Sequence, residues 1–73
     1  MKPKDRKVLK LIGKRIRNLR DEAGISQAQL AFEAGIPRFQ VSRIERGEIN
    51  TGILNLMAIS KALDIQIKEL FEL

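Results

Sequence analysis

Between Arg38 and Arg46 the chain sets Arg38, Phe39, Gln40, Ser42, Arg43 and Arg46 around only two apolar anchors, Val41 and Ile44. Arginine and glutamine in such a stretch suit the reading of base edges. Arginine can bond guanine O6 and N7 together, and glutamine adenine N6 and N7. Other chemistry has little to work with. There is no cysteine and no histidine, which removes thiol nucleophiles, disulfides, the usual zinc ligands and the commonest general base. No nucleophile–base pair, metal cluster or phosphate-cradling glycine loop is recognisable. Carboxylates remain, and structural roles explain Glu45 and Glu48 better. The expectation is a binding protein, not an enzyme, without metal or cofactor.

The charge balance narrows the partner. Residues 1–20 carry nine Lys/Arg against one acid, Asp5, whereas residues 21–73 carry five against eight, so a net +5 conceals a basic segment on a mildly acidic body. Such asymmetry suits a polyanion, nucleic acid first and an anionic membrane second. A solvated helix face is the plainer explanation of the same charges. The longest apolar run is four residues, Leu56 to Ile59, far below the ~20 of a membrane span. Lys10 and Lys14 interrupt any signal-peptide core. A cytoplasmic protein with no membrane partner is expected. Its 73 residues make one domain, 1–73. Within residues 1–7, Lys2, Lys4, Arg6 and Lys7 form either a flexible basic arm along DNA or a solvated tail.

The elements that must position these residues are helical. Leu9, Ile12, Ile16, Leu19 and Ala23 recur at spacings of three and four, a single helical stripe. Pro3 suits a place at or before its start and Gly24 a place beyond its end. Gly13 costs this helix about 1 kcal/mol. Ser26 with Gln29 reads as a capping box for a second helix through Ala34, which Gly35 ends. A third helix covers Arg38 to Arg46 and stops at Gly47. Asn50 or Thr51 caps a fourth, whose Ile53, Leu56, Ile59 and Leu63 face the core. A short fifth runs from Ile67 to Glu72, with Leu70 and Phe71 packing back. Phe32 lies off the stripe of its helix and reads as filling at the core's edge. No segment alternates as a strand does. The fold class is all-α, with five helices.

Two short helices separated by Gly35, Ile36 and Pro37 match a helix-turn-helix unit, in which the second helix enters the DNA major groove and the first crosses the backbone. The runs SQAQLAFEAGIP (Ser26 to Pro37) and VSRIERGEIN (Val41 to Asn50) resemble the lambda-repressor-like, XRE or Cro/C1-type helix-turn-helix family. IGKRIRNLR (Ile12 to Arg20) and LMAISKALDI (Leu56 to Ile65) extend the likeness over nearly the whole chain beyond residue 10. The resemblance implies a five-helix bundle that binds double-stranded operator DNA, mostly as a dimer, and regulates transcription. By position it implies that Gln27 touches a phosphate and braces the first residue of the recognition helix. Arg38, Phe39, Gln40 and Arg43 then read bases, while Arg46 and Asn50 face the backbone. Ser42 either joins them or bonds its own helix. It also implies a partly buried ion pair between Arg20 and Glu45 that sets the angle of the recognition helix. Two residues depart from the family pattern. Pro37 stands where a capping Ser, Thr or Asp is common, and Phe39 replaces a polar side chain with a ring suited to a thymine methyl.

The terminal helices carry more apolar residues than a small core can use. Leu54, Met57, Ile65, Ile67, Phe71 and Leu73 cannot all point inward, and such a surplus marks an interface. A homodimer on a palindromic site is expected, with Leu54, Ile65, Ile67, Phe71 and Leu73 between the subunits. The rival is an antitoxin-like or adaptor subunit that turns the same residues to a different protein partner.

Overall fold

Pro3 occupies the first position of α1 (Pro3–Ala23), where its missing N–H leaves no bond unmade and its fixed φ suits the helix. The computed structural model describes residues 2–73. Asp5 lies in the first turn of α1 and favours the positive helix end. Lys4, Arg6 and Lys7 are therefore helical and exposed instead of forming a flexible arm. Met1, counted with that arm, lies outside the described residues. At the far end Gly24 adopts φ 71° and ψ 25°, and the Ile25 N–H closes on the Arg20 carbonyl at 3.3 Å. Gly35 repeats this after α2 (Gln27–Ala34), with φ 68°. The chain turns there into α3 (Arg38–Glu45). Then comes α4 (Ile53–Ala62), and beyond its cap Leu63 the residue Asp64, at φ 57°, takes the left-handed position usually held by glycine.

The fifth helix departs from expectation. Residues Ile67–Phe71 form a 3₁₀ helix, so the described residues hold four α-helices and no strand. Five residues make too few i→i+4 bonds for an α-helix to close. The Glu69 carboxylate instead accepts the Gln66 N–H at 2.9 Å and tightens the turn.

Helix α1 packs on α3, α2 packs on both α3 and α4, and the 3₁₀ helix closes against α1 and α4. The core they enclose centres on Ile16, Leu30, Val41, Ile59 and Leu70, with Leu19, Ile44, Leu56 and Leu63 around them. Ile36, between the two helices of the motif, is buried too. Four apolar residues assigned inward lie outside: Ala23, Phe32, Ile53 and Phe71. Ala23 and Ile53 sit in terminal helical turns and are exposed. Phe32 is 84% exposed, because α2 buries Leu30 and Ala31 and the next residue turns away by about 100°.

Two capping assignments change as well. Ser26 Oγ accepts the Gln29 N–H at 3.0 Å, but the Gln29 amide turns to Glu33 at 2.9 Å, leaving half a capping box. The N-cap of α4 is Gly52, while the Thr51 hydroxyl accepts from the Asn55 amide at 2.8 Å.

Candidate nucleic-acid interface

Helix α3 buries Val41, Ile44 and Glu45 and leaves its other faces to solvent. Arg38, Phe39, Arg43 and Arg46 are exposed, Phe39 at 67%, and Gln40 and Ser42 are half-buried. Asn50 is exposed in the loop beyond. The helix begins at Pro37 (φ −57°, ψ 140°), which supplies no capping side chain.

What fixes α3 is a polar knot beneath it. Arg20 donates to both oxygens of Glu45, from Nε to Oε2 at 2.8 Å and from Nη2 to Oε1 at 3.1 Å. Its Nη1 donates to the Ile25 carbonyl at 3.0 Å, on the loop between α1 and α2. Gln27 Nε2 adds a third bond to Glu45, at 3.0 Å to Oε1. The Glu45 side chain is 2% exposed and that of Arg20 11%. The hydrogen bond to Glu45 holds the Arg20 guanidinium above its ordinary pKa, against the opposing effect of burial, and the charges of Glu45 and Asp21 add to the rise. Planar guanidinium meets planar carboxylate here in the fork geometry that only arginine provides.

Gln27 therefore braces the end of α3, not its first residue. Its amide N–H is committed to Glu45, so a phosphate would meet a glutamine already held in place. Sequence spacing could not show this, since Gln27 and Glu45 lie 18 residues apart.

Two glycines set how closely α1 approaches α3. A Cβ on Gly13 would run into the Ile44 carbonyl oxygen and lie 2.5 Å from that of Glu45. A Cβ on Gly47 would lie 2.7 Å from Lys10 Cα, and Gly47 also holds φ 70°. Gly13 thus belongs to the site's framework, because its bare backbone lets α1 and the end of α3 touch.

Beyond α3 the cations gather round one acid. Glu48 accepts from Arg46 Nε at 2.7 Å and Arg46 Nη2 at 3.2 Å, and lies 3.6 Å from Arg43 Nε. Arg6, Lys10, Arg46, Gly47 and Glu48 line one cleft of about 290 Å³. The hydrogen bond from Arg46, then the charges of Arg46 and Arg43, hold Glu48 below the usual carboxylate range, although desolvation acts the other way. The sequence offered a cue in the acid two residues after Arg46 and five after Arg43. Among the described residues no group of acidic side chains could hold a metal ion.

The apolar surplus divides in two. Met57, Ala58, Ser60, Lys61, Asp64, Ile65 and Ile67 line an open groove between α4 and the 3₁₀ helix, and Leu54 is 77% exposed on α4. Leu73 lies instead beside Leu11, Lys14, Arg15 and Asn18 of α1. Phe71 is exposed. Ile65 and Ile67 are half-buried against the core, so neither stands as free of the fold as expected.

A family model described as helix-turn-helix matches residues 16–70. Over 63 residues the chain is 41% identical to the control protein C.BamHI of Bacillus amyloliquefaciens, an alignment covering 85% of this chain and 78% of that protein. It is 38% identical over 63 residues to the transcriptional regulator SlrR of Bacillus subtilis, spanning 85% of this chain but 41% of SlrR. Among solved structures it is similar to the restriction–modification controller protein C.AhdI of Aeromonas hydrophila. That match has a TM-score of 0.85 and 43% identity, and covers 86% of this chain and 96% of that one. The DNA-binding domain of the P22 C2 repressor matches with a TM-score of 0.81 and 36% identity, over 88% of this chain and 84% of that domain. The turn at Gly35, the buried anchors of α3 and these likenesses agree: the chain belongs to the lambda-repressor-like helix-turn-helix family, a family of DNA-binding transcriptional regulators.

Proposed function

We propose that the protein is a sequence-specific regulator that binds a palindromic operator as a homodimer, with α3 in the major groove. One observation carries this reading. Helix α3 is fixed to α1 and α2 through Arg20, Glu45 and Gln27, while Arg38 and Phe39 stand exposed in its first turn with no structural partner among the described residues and Arg43 stands exposed in its last turn beside Glu48 alone. Arg38 and Arg43 supply bidentate base contacts, Gln40 a further hydrogen bond, and Phe39 an apolar contact to a thymine methyl. Arg46, Asn50, Ser42 and Gln27 hold backbone, which sets register without reading sequence. The groove lined by Met57, Ile65 and Ile67, with Leu54 above it, joins the two subunits.

Two of the matches that extend over most of both chains are to control proteins, C.BamHI and C.AhdI. The likeness to the restriction–modification controller protein C.AhdI favours a controller of a restriction–modification system. A gel-shift assay with the DNA upstream of the coding sequence tests the proposal. An inverted repeat there, shifted by the purified protein and not by an Arg38→Ala/Arg43→Ala variant, is the expected result. A shift that both proteins give equally on any sequence would overturn it.

A further inference from the structure

Glu48 is the exposed acid among the cations just beyond α3. Its carboxylate takes two bonds from Arg46 and lies 3.6 Å from Arg43. It also faces Arg6 and Lys10 across the cleft it shares with Arg46. A carboxylate that engages guanidinium groups in this way offers the charge and the oxygens a phosphate would offer. We infer that Glu48 stands in for a DNA phosphate in the free protein, so that binding exchanges the Glu48 contacts of Arg43 and Arg46 for contacts with the duplex. This rests on the reading of α3 as the DNA-facing helix.

The exchange has consequences for specificity. On a matched site Arg43 leaves Glu48 for a bidentate base contact, which repays the exchange. On unmatched DNA it finds only a phosphate, scarcely better than the carboxylate it already has. Glu48 then stays near Arg43, cancels its charge and is itself repelled by the backbone. It therefore weakens binding to arbitrary DNA more than binding to the operator. A glutamate carboxylate is ionised at neutral pH, and the two arginines lower its pKa further, so the competition operates there.

Glu48→Gln keeps the side chain's shape and removes its charge at an exposed position. Wild type and variant are titrated on two 20-base-pair duplexes over a range of salt. One duplex has random sequence, and the other is selected by the wild type from a randomised pool. The variant is expected to bind the random duplex about two- to fivefold more tightly, the scale of exposed ion pairs. Its plot of log affinity against log salt should be steeper by about 0.9 per subunit, for one more cation engaged. The ratio of selected to random affinity falls. Glu48→Ala should behave alike, with unchanged circular dichroism. An unchanged random affinity and salt slope would overturn the inference, as would weaker binding by the variant to the selected duplex alone, since Glu48 would then be holding Arg43 in place for its base. If Arg43→Ala binds the selected duplex as wild type does, the reading of α3 itself fails, and the inference with it.

Discussion

Glu45 is a carboxylate with almost no access to water, and all its stabilisation comes from Arg20 and Gln27. The two partners are not equivalent. Without Glu45, Arg20 keeps the Ile25 carbonyl and Asp21 3.4 Å away. Without Arg20, Glu45 keeps a single neutral donor. Arg20→Ala should therefore cost about 3–5 kcal/mol, the range for an orphaned buried charge, and Glu45→Ala distinctly less. Chemical denaturation of both variants measures the difference, and equal losses would contradict the asymmetry. The pH dependence follows the same residues. Arg20 has a raised pKa in the folded state, so its contribution is complete below the unfolded arginine value and disappears only as pH rises through the folded one. Glu48 has a lowered pKa, so its contribution is present above the unfolded carboxylate value and is lost as pH falls through the folded one. Stability should thus be flat with respect to both groups at neutral pH. Replacing Glu48 with Gln should remove part of the acid-side loss. For readout, Arg43→Ala should cost about 1–3 kcal/mol on the selected site and relax base preference there. Gln27→Ala should weaken all sequences alike and destabilise the fold by about 1 kcal/mol, since it removes a bond to Glu45.

At the scale of elements, Gly13→Ala separates local propensity from packing. In an open helix the change would stabilise by about 1 kcal/mol. Here the new Cβ meets the backbone of α3 at the Ile44 carbonyl, which accepts the Gly47 N–H, and at the Glu45 carbonyl, and overpacking of that kind costs about 1–3 kcal/mol or more. The sign should reverse, with the melting temperature falling by about 4–8 °C for each kcal/mol lost. A rise would mean that α1 and α3 can separate freely. The same residue shows what periodicity conveys and what it omits. Gly24, Gly35 and Gly47 mark chain turns in the sequence, and each adopts positive φ. That information is local. The role of Gly13 depends on a helix some thirty residues further on, so one strand of sequence presents it only as a weak helix former. Phe32 and Ile53 fail for a related reason. A stripe names the face of a helix, but where burial ends depends on the neighbour that covers it. The bond from Gln27 to Glu45 and the tight 3₁₀ closure at Ile67 likewise depend on packing across the bundle.

For the whole molecule, charge and apolar surface lead to a statement about pairs of chains. If about five phosphates are neutralised per subunit, log affinity should fall with log salt at roughly −4 to −5 per subunit. Dimerisation is the sharper test. A protomer measuring 31 × 23 × 20 Å can join a twin so that two α3 helices lie about 34 Å apart, one turn of B-DNA. The groove between α4 and the 3₁₀ helix offers an apolar surface for a two-fold contact. Ile67 lines it but is also half-buried against the core, so Ile67→Asp would disturb folding together with association. Met57, 52% exposed on the same groove, separates the two. Met57→Asp should give a folded monomer, with wild-type helicity and a much lower affinity for the palindromic site. Half-site binding by the isolated subunit should be retained, because α3 and its supports are untouched. Sedimentation equilibrium follows the mass of both proteins without DNA. A wild type that stays monomeric at tens of micromolar and forms a one-to-one complex with the palindrome would end the proposal, since no second α3 would then reach the other half-site.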